Sequence, residues 1–390
     1  MNLKDFFSPI DIASITPKHG FYTSHMAANM QIYVSDFPDL EETDIAIIAI
    51  AEDRQSVDNQ GCALGSTYIR EKFYTLSQGD FTMRLADLGT IIQGATVRDT
   101  YVALYTIVDE LIRKNIVPII IGGSQDLTYA QYLGYQQLDK KVNLLVIDSH
   151  LDIDDVEDDA EATSISYLNK IITHEKGNLF NFCNLGYQTY FVDQKILSIL
   201  EKLYFDAYRL GEITDDITKA EPLIRDADMI SFDISSIRSS EANGHANASP
   251  NGFYGDQACR LTRYAGMSDK LSSIGFYEYN PAYDNQKQTA FLIAQMIWYF
   301  IEGYYNRKND LPQDLKREFT KYRTTIKNTD HELVFFKSRK TDRWWMQIPY
   351  PSNKSKNERF HLVPCTYADY QLAVNSEMPD RWWKTYQKLI

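Results

Sequence analysis

Cysteine is scarce in this chain: four residues at positions 62, 183, 259 and 365, with no C-x-x-C pair. Such scatter argues against a disulfide framework and fits reduced thiols in a reducing compartment. Long apolar runs are also missing. The longest strongly apolar stretch, residues 290–301, is too short and too interrupted for a bilayer span, which needs ~20 residues. The opening MNLKDFFSPIDIAS has no basic segment leading into an apolar one, so no secretory leader is expected. Positive charge is in deficit, with 40 Lys+Arg against 53 Asp+Glu and a net charge of −13, which speaks against a general nucleic-acid binder. Internal repeats and low-complexity segments are absent. The expectation is a cytoplasmic protein that binds neither membrane nor nucleic acid.

What is present is enough apolar residue, 44%, for a substantial core in a chain of 390 residues. That length suits two or three average domains, or one large α/β domain with an extension. Charge is unevenly spread. Residues 306–390 hold 17 Lys+Arg against 10 Asp+Glu, hence +7, which leaves −20 on residues 1–305. The shift marks a boundary, giving an α/β domain over 1–305 and a basic, aromatic-rich extension over 306–390. The extension could contact a protein partner, or dock on the acidic body or on a neighbouring subunit.

Short apolar runs alternate with segments of helical spacing. Residues 43–50, 84–89, 116–121, 142–147, 185–192, 207–210, 228–234 and 271–277 read as strands. Residues 96–115, 129–138, 164–173, 194–203, 217–225, 255–265 and 285–305 read as helices. This alternation predicts a parallel, doubly wound sheet. Residues 1–43, with three prolines, are expected to wrap its edge. Beyond 306, residues 331–338, 343–350 and 359–366 suggest a three-stranded antiparallel meander, followed by a helix over 381–390. Trp344, Trp345, Trp382 and Trp383 are expected in the core of this extension or at an interface.

The chain is organised around VNLLVIDSHLDIDD, residues 142–155. A buried strand ends here in Asp148, His150 and Asp152, with Asp154 and Asp155 beyond. In open α/β sheets, sites lie past the carboxyl ends of strands. Two hard oxygen donors and an imidazole suit a divalent ion such as Mn²⁺ or Zn²⁺. The acidic run 152–161 otherwise reads as a solvated loop. Two more strand ends carry GGSQD (122–126) and SFDIS (231–235), and a fourth offers Glu278.

The order and spacing of these segments resemble the arginase/agmatinase/formimidoylglutamase (ureohydrolase) family, whose pattern runs Gly-Gly-x-His, Asp-x-His-x-Asp, Ser-x-Asp-x-Asp and a late Glu-x-Asn-Pro. Further likenesses are Gly61 and Gly65 with Ile69 and Arg70, Asp87 with Gly89, the loop ASPNGF (248–253), and EYNP (278–281) with Asp284, Thr289 and Ala290. The resemblance covers about residues 43–305 and implies a three-layer α/β/α fold with about eight parallel strands. It also implies two Mn²⁺ ions that activate a hydroxide against an amidine or guanidine carbon. On that reading Asp148 and Asp233 bridge the metals, Asp152 and His150 each ligate one, and Glu278 pairs with the cationic nitrogen group of the substrate. Asp152 and Glu278 are the expected catalytic residues, and a homo-oligomer is expected.

Three positions depart from the pattern. Gln125 replaces the histidine of Gly-Gly-x-His, Ser235 the second aspartate of Ser-x-Asp-x-Asp, and Arg238 a further aspartate. Each metal position loses one ligand. One alternative is a mononuclear site on Asp148, His150 and Asp233, the set that the related deacetylase branch uses for Zn²⁺. Another is a carboxylate supplied by Asp126 or Asp154. His174 and His245 fall on loops and read as surface histidines. Two functions stay open: a formimidoylglutamase-like hydrolase of linear amidines with an atypical metal centre, or a catalytically silent relative acting as scaffold.

Overall fold

The computed structural model describes residues 2–138, 140–154, 160–175, 177–312, 315–326, 332–349 and 360–390. Fourteen strands are seen among them: β1 Phe7–Ser8, β2 Gln31–Ile32, β3 Ile45–Ile50, β4 Leu85–Ile91, β5 Val117–Ile121, β6 Val142–Ile147, β7 Leu179–Tyr187, β8 Asp206–Arg209, β9 Met229–Asp233, β10 Ser273–Tyr277, β11 Phe319–Thr325, β12 Glu332–Ser338, β13 Trp344–Pro349 and β14 Phe360–Cys365. The first ten form one sheet in the order β1-β4-β3-β5-β10-β9-β6-β7-β8, with β2 also on β4. Eight of these, β4 through β8 along that path, run parallel, matching the expected count. The two-residue strands β1 and β2 sit on β4, so the N-terminal segment does wrap an edge.

Both sheet faces are covered, which is why the central strands are apolar without alternation. Along β3, Ile45, Ile47 and Ala49 face one core, while Ala46, Ile48 and Ile50 face the other. The first core is closed by the helices Gly65–Phe73, Gly255–Gly266 and Gln288–Tyr305. The helices Val97–Arg113, Leu127–Leu133 and Tyr167–Ile172 close the second. This is the three-layer α/β/α arrangement. Thr96 begins the longest helix of the second layer with a reciprocal cap to Asp99.

Several sequence expectations shift. The strand expected over 185–192 is β7, six residues earlier, and 189–191 form a 3₁₀ turn. Asn181 and Asn184 disguise it, because both polar side chains are satisfied by tertiary partners, Lys388 for one and His150 O for the other. Among its described residues the extension holds four strands rather than three, in the order β11-β12-β13-β14. A helix, Tyr367–Val374, follows them and was not expected; the last, Asp380–Leu389, was. Trp344, Trp345 and Trp382 are buried, and Trp383 is exposed.

The extension also contacts the body. Arg381 pairs with Asp226 at 3.1 Å and Lys384 with Asp206 at 3.1 Å. The Arg225 guanidinium lies 4.3 Å from the Trp345 ring centroid. The docking on the acidic body is thus within one chain. Among the described residues no helix is long and apolar enough to cross a membrane. Residues 155–159 of the acidic run lie outside the described residues.

Candidate metal centre

Four neighbouring strands of the sheet, β5, β10, β9 and β6, end on the same side, and each delivers one of the marked segments. Gln125 follows β5, Glu278 follows β10, Asp233 ends β9 and Asp148 follows β6. Parallel pairing alone brings residues 153 positions apart into contact: the Gln125 N–H donates to Glu278 Oε1 at 2.7 Å. Glycine is required in the turn after β5, where a Cβ on Gly123 would stand 1.9 Å from the Glu52 carbonyl oxygen.

The strand ends surround a cavity of about 320 Å³ lined by Asp148, His150, Asp152, Asp233, Ser235, His245 and Glu278, with Val57, Ser164, Ile165, Phe191 and Asn247 around them. Every expected acidic residue is therefore in one place. The Asp148 backbone extends the strand, and its Oδ1 accepts from the His150 N–H at 2.9 Å. Asp233 caps the 3₁₀ turn Ile234–Ser236, accepting from the Ser235 N–H at 2.6 Å. Glu278 has φ +66°. Its carboxylate takes the Asn59 amide at 2.6 Å, besides the Gln125 N–H. An acidic residue held in the left-handed region signals a backbone bent to fit a site.

Electrostatics in the cavity follow from burial of like charges. Burial first, then the charges of Asp152 and Asp233, push the Asp148 carboxyl well above its usual range. Asp152 and Asp233 are raised for the same first reason, and Glu278 by burial and then the charge of Asp233. No donor reaches the buried Asp148 Oδ2. A proton shared with its neighbour Asp152, a water in the cavity or a cation would satisfy it.

On that observation the donor set of Asp148, Asp152 and Asp233 fits a divalent cation. The fourth expected ligand, His150, lines the same cavity with Nδ1 3.9 Å from Asp148 Oδ1. As the side chains stand, no group of three His, Cys, Asp or Glu among the described residues is placed to hold a metal ion. His150 is turned aside: its ring stacks on Phe191 at 4.5 Å and 16°, and Nδ1 lies 2.9 Å from the Ser149 hydroxyl. The aromatic ring covers one face of the imidazole and the hydroxyl occupies Nδ1.

The departures from the family pattern are also placed. Gln125 is buried outside the cavity lining, donating to Ser231 Oγ at 2.8 Å. Ser235 lines the cavity and bonds Asp233 instead of adding a carboxylate. Arg238 does not enter: its guanidinium lies 3.4 Å from the Tyr254 ring centroid. Nor does Asp126 replace a ligand, since it accepts from Tyr101 at 2.5 Å and from Ser124. Asp154 is likewise outside the lining.

His174 stays away from the cavity, beside Tyr129 and Gln136. His245 does not. It lines the cavity with Nε2 3.8 Å from Glu278 Oε2, and its Nδ1 accepts the Asn247 N–H. Burial drives its pKa down to about 4, so it is a neutral imidazole with the proton on Nε2. The surface reading of His245 was wrong. Its loop, 235–252, was marked by length and composition, but nothing in the sequence gave its direction.

Residues 43–302 match the sequence profile of the Arginase family. The chain belongs to the arginase family. It is 27% identical over 277 residues to a formimidoylglutamase of Staphylococcus haemolyticus, covering 67% of this chain and 86% of that protein. A formimidoylglutamase of Geobacillus sp. is 26% identical over 246 residues, covering 57% and 71%. Among solved structures, Trypanosoma cruzi formiminoglutamase with Mn²⁺ superposes at a TM-score of 0.63 and 20% identity, covering 70% of this chain and all of that one. Bacillus subtilis formimidoylglutamase gives 0.62 at 18% identity, covering 72% and 96%. This family assignment accounts for the strand order and the strand-end positions of the acidic residues. Residues 303–390 of this arginase-family chain lie outside the matched span.

Proposed function

We propose that the protein is a metal-dependent hydrolase of C–N bonds in linear amidines, formimidoylglutamase-like, with residues 1–305 as the catalytic unit and 306–390 as an appended unit. The observation that carries this reading is the convergence of Asp148, Asp152, Asp233 and Glu278 on one cavity, with a buried Asp148 oxygen that no donor satisfies. A purely structural role gives no reason to bury four carboxylates around a void. The relatives named formimidoylglutamase support the choice of chemistry.

Asp148, Asp152 and Asp233 would hold the cation, Mn²⁺ by the example of the solved relative. When bound, a divalent ion supplies Lewis acidity and lowers the pKa of water to make a nucleophile near neutral pH. Glu278, fixed by Asn59 and the Gln125 N–H, orients the amidinium of the substrate by charge and hydrogen bonding. Neutral His245 offers its Nε2–H beside Glu278 as a hydrogen-bond donor to the reacting group. Tyr167 donates to Asp152 and holds that carboxylate in place.

The test is release of formamide or ammonia from a formimidoyl substrate, or of urea from a guanidino substrate, by protein loaded with Mn²⁺, and its loss in Asp233→Asn. One observation favours the second, catalytically silent reading: Gln125 and Ser235 satisfy Ser231 and Asp233 instead of completing a ligand set. If no Mn²⁺ or Zn²⁺ is retained after dialysis from an excess, the silent reading replaces the first.

A further inference from the structure

The amidine head is only half of a substrate, and the cavity wall also constrains the other end. Among the described residues that line it there are four carboxylates and no Lys or Arg. Two arginines beyond strand ends, one after β3 and one after β9, are engaged elsewhere. Arg54 is paired with Glu52, and Arg238 lies over Tyr254 and bonds the Gly252 carbonyl. His150 is stacked on Phe191, and His245 accepts the Asn247 N–H on Nδ1 and turns Nε2 toward Glu278.

The wall away from the acidic groups is apolar. Val57, Ile165 and Phe191 line the cavity and are each more than a third exposed, so they form its solvent-facing rim. Ser164, between them, already accepts the Val57 N–H on its hydroxyl. Asn247 is the one neutral amide of the lining. A carboxylate leaving water for this rim meets no Lys or Arg side chain. An alkyl chain meets what it needs.

We infer that the site takes linear amidines or guanidines whose carbon chain carries no carboxylate, and discriminates against formimidoyl and guanidino acids. This rests on the reading that the cavity binds an amidine head. It departs from the name of the relatives, since a formimidoylglutamate carries two carboxylates.

The pair butylguanidine and 4-guanidinobutyrate differs at the chain end, methyl against carboxylate. Calorimetric titration of each into the Mn²⁺-loaded protein is expected to show butylguanidine binding at least about tenfold more tightly. Equal affinity, tighter binding of the acid, or no saturable binding of either at millimolar concentration overturns the inference. Ile165→Arg, with Val57→Arg as a companion should the first fail to fold, places a guanidinium on the rim and is expected to reverse the ratio. An unchanged ratio in a folded variant also overturns it. Turnover separates the two claims. Higher kcat/KM on formimidoyl-L-glutamate than on N-butylformamidine refutes the specificity and keeps the hydrolase. The expected binding ratio with no turnover of any amidine refutes the hydrolase and keeps the specificity.

Discussion

Arg70 is buried between the helix Gly65–Phe73 and β4, and its guanidinium makes four hydrogen bonds there. Nε and Nη2 donate to the two oxygens of Asp87 at 2.9 and 2.8 Å, Nη1 to Thr90 Oγ1 and Nη2 also to the Gly89 carbonyl. Removing one partner of such a pair leaves a buried charge alone. Arg70→Met is expected to cost about 3–5 kcal/mol in urea unfolding. Asp126 makes the opposite case. Burial raises its pKa from 3.8 to about 7, against the pull of Ser124 and Tyr101. Between those values the native state keeps a proton that the unfolded chain has lost. Its contribution to stability therefore falls as pH rises through that window. Asp126→Asn should gain on the wild type with rising pH, by up to about 1.4 kcal/mol per unit, when urea midpoints are compared from pH 4 to 7. Parallel curves would refute the assignment.

At the scale of elements, apolar runs with both faces covered were readable, and polar strands were not. β3, β5, β6, β9 and β10 announce themselves by composition. β11 does not, because Lys321, Arg323 and Thr325 face solvent on every second residue and hide a β-branched and aromatic inner row. The helix Asp380–Leu389 holds the extension to the body through the half-buried Arg381, bonded to Asp226 and to the Pro364 carbonyl, and through Lys384 and Lys388. Arg381→Ala is expected to lower stability by about 3 kcal/mol. It should also make limited proteolysis cut after the helix Gln288–Tyr305 at protease levels the wild type resists. Unchanged digestion would show that the apolar contacts of the extension suffice.

For the whole molecule, the separation of −20 and +7 along the chain becomes an intramolecular attraction, with Asp206 and Asp226 receiving the basic helix. A cation held by Asp148, Asp152 and Asp233 binds the native state alone, so Mn²⁺ should raise Tm in a concentration-dependent way, by about 2.7 kcal/mol of stability at a hundredfold excess over Kd. Asp233→Asn should abolish that rise. A Tm that ignores Mn²⁺ in the wild type would remove the metal from the proposal.

The sequence by itself determined the fold class, the order of the buried strands and the set of acidic residues at their ends. These depend on apolar runs and short motifs, which are local in the chain. It also located the change in charge at 306. Only the tertiary structure decided which way side chains point once the strands are paired. It turned His150 onto Phe191, took Arg238 out of the site, tied Gln125 to Ser231 and brought His245 to Glu278. Each of those outcomes depends on a partner far away in sequence, and a linear pattern carries no record of it.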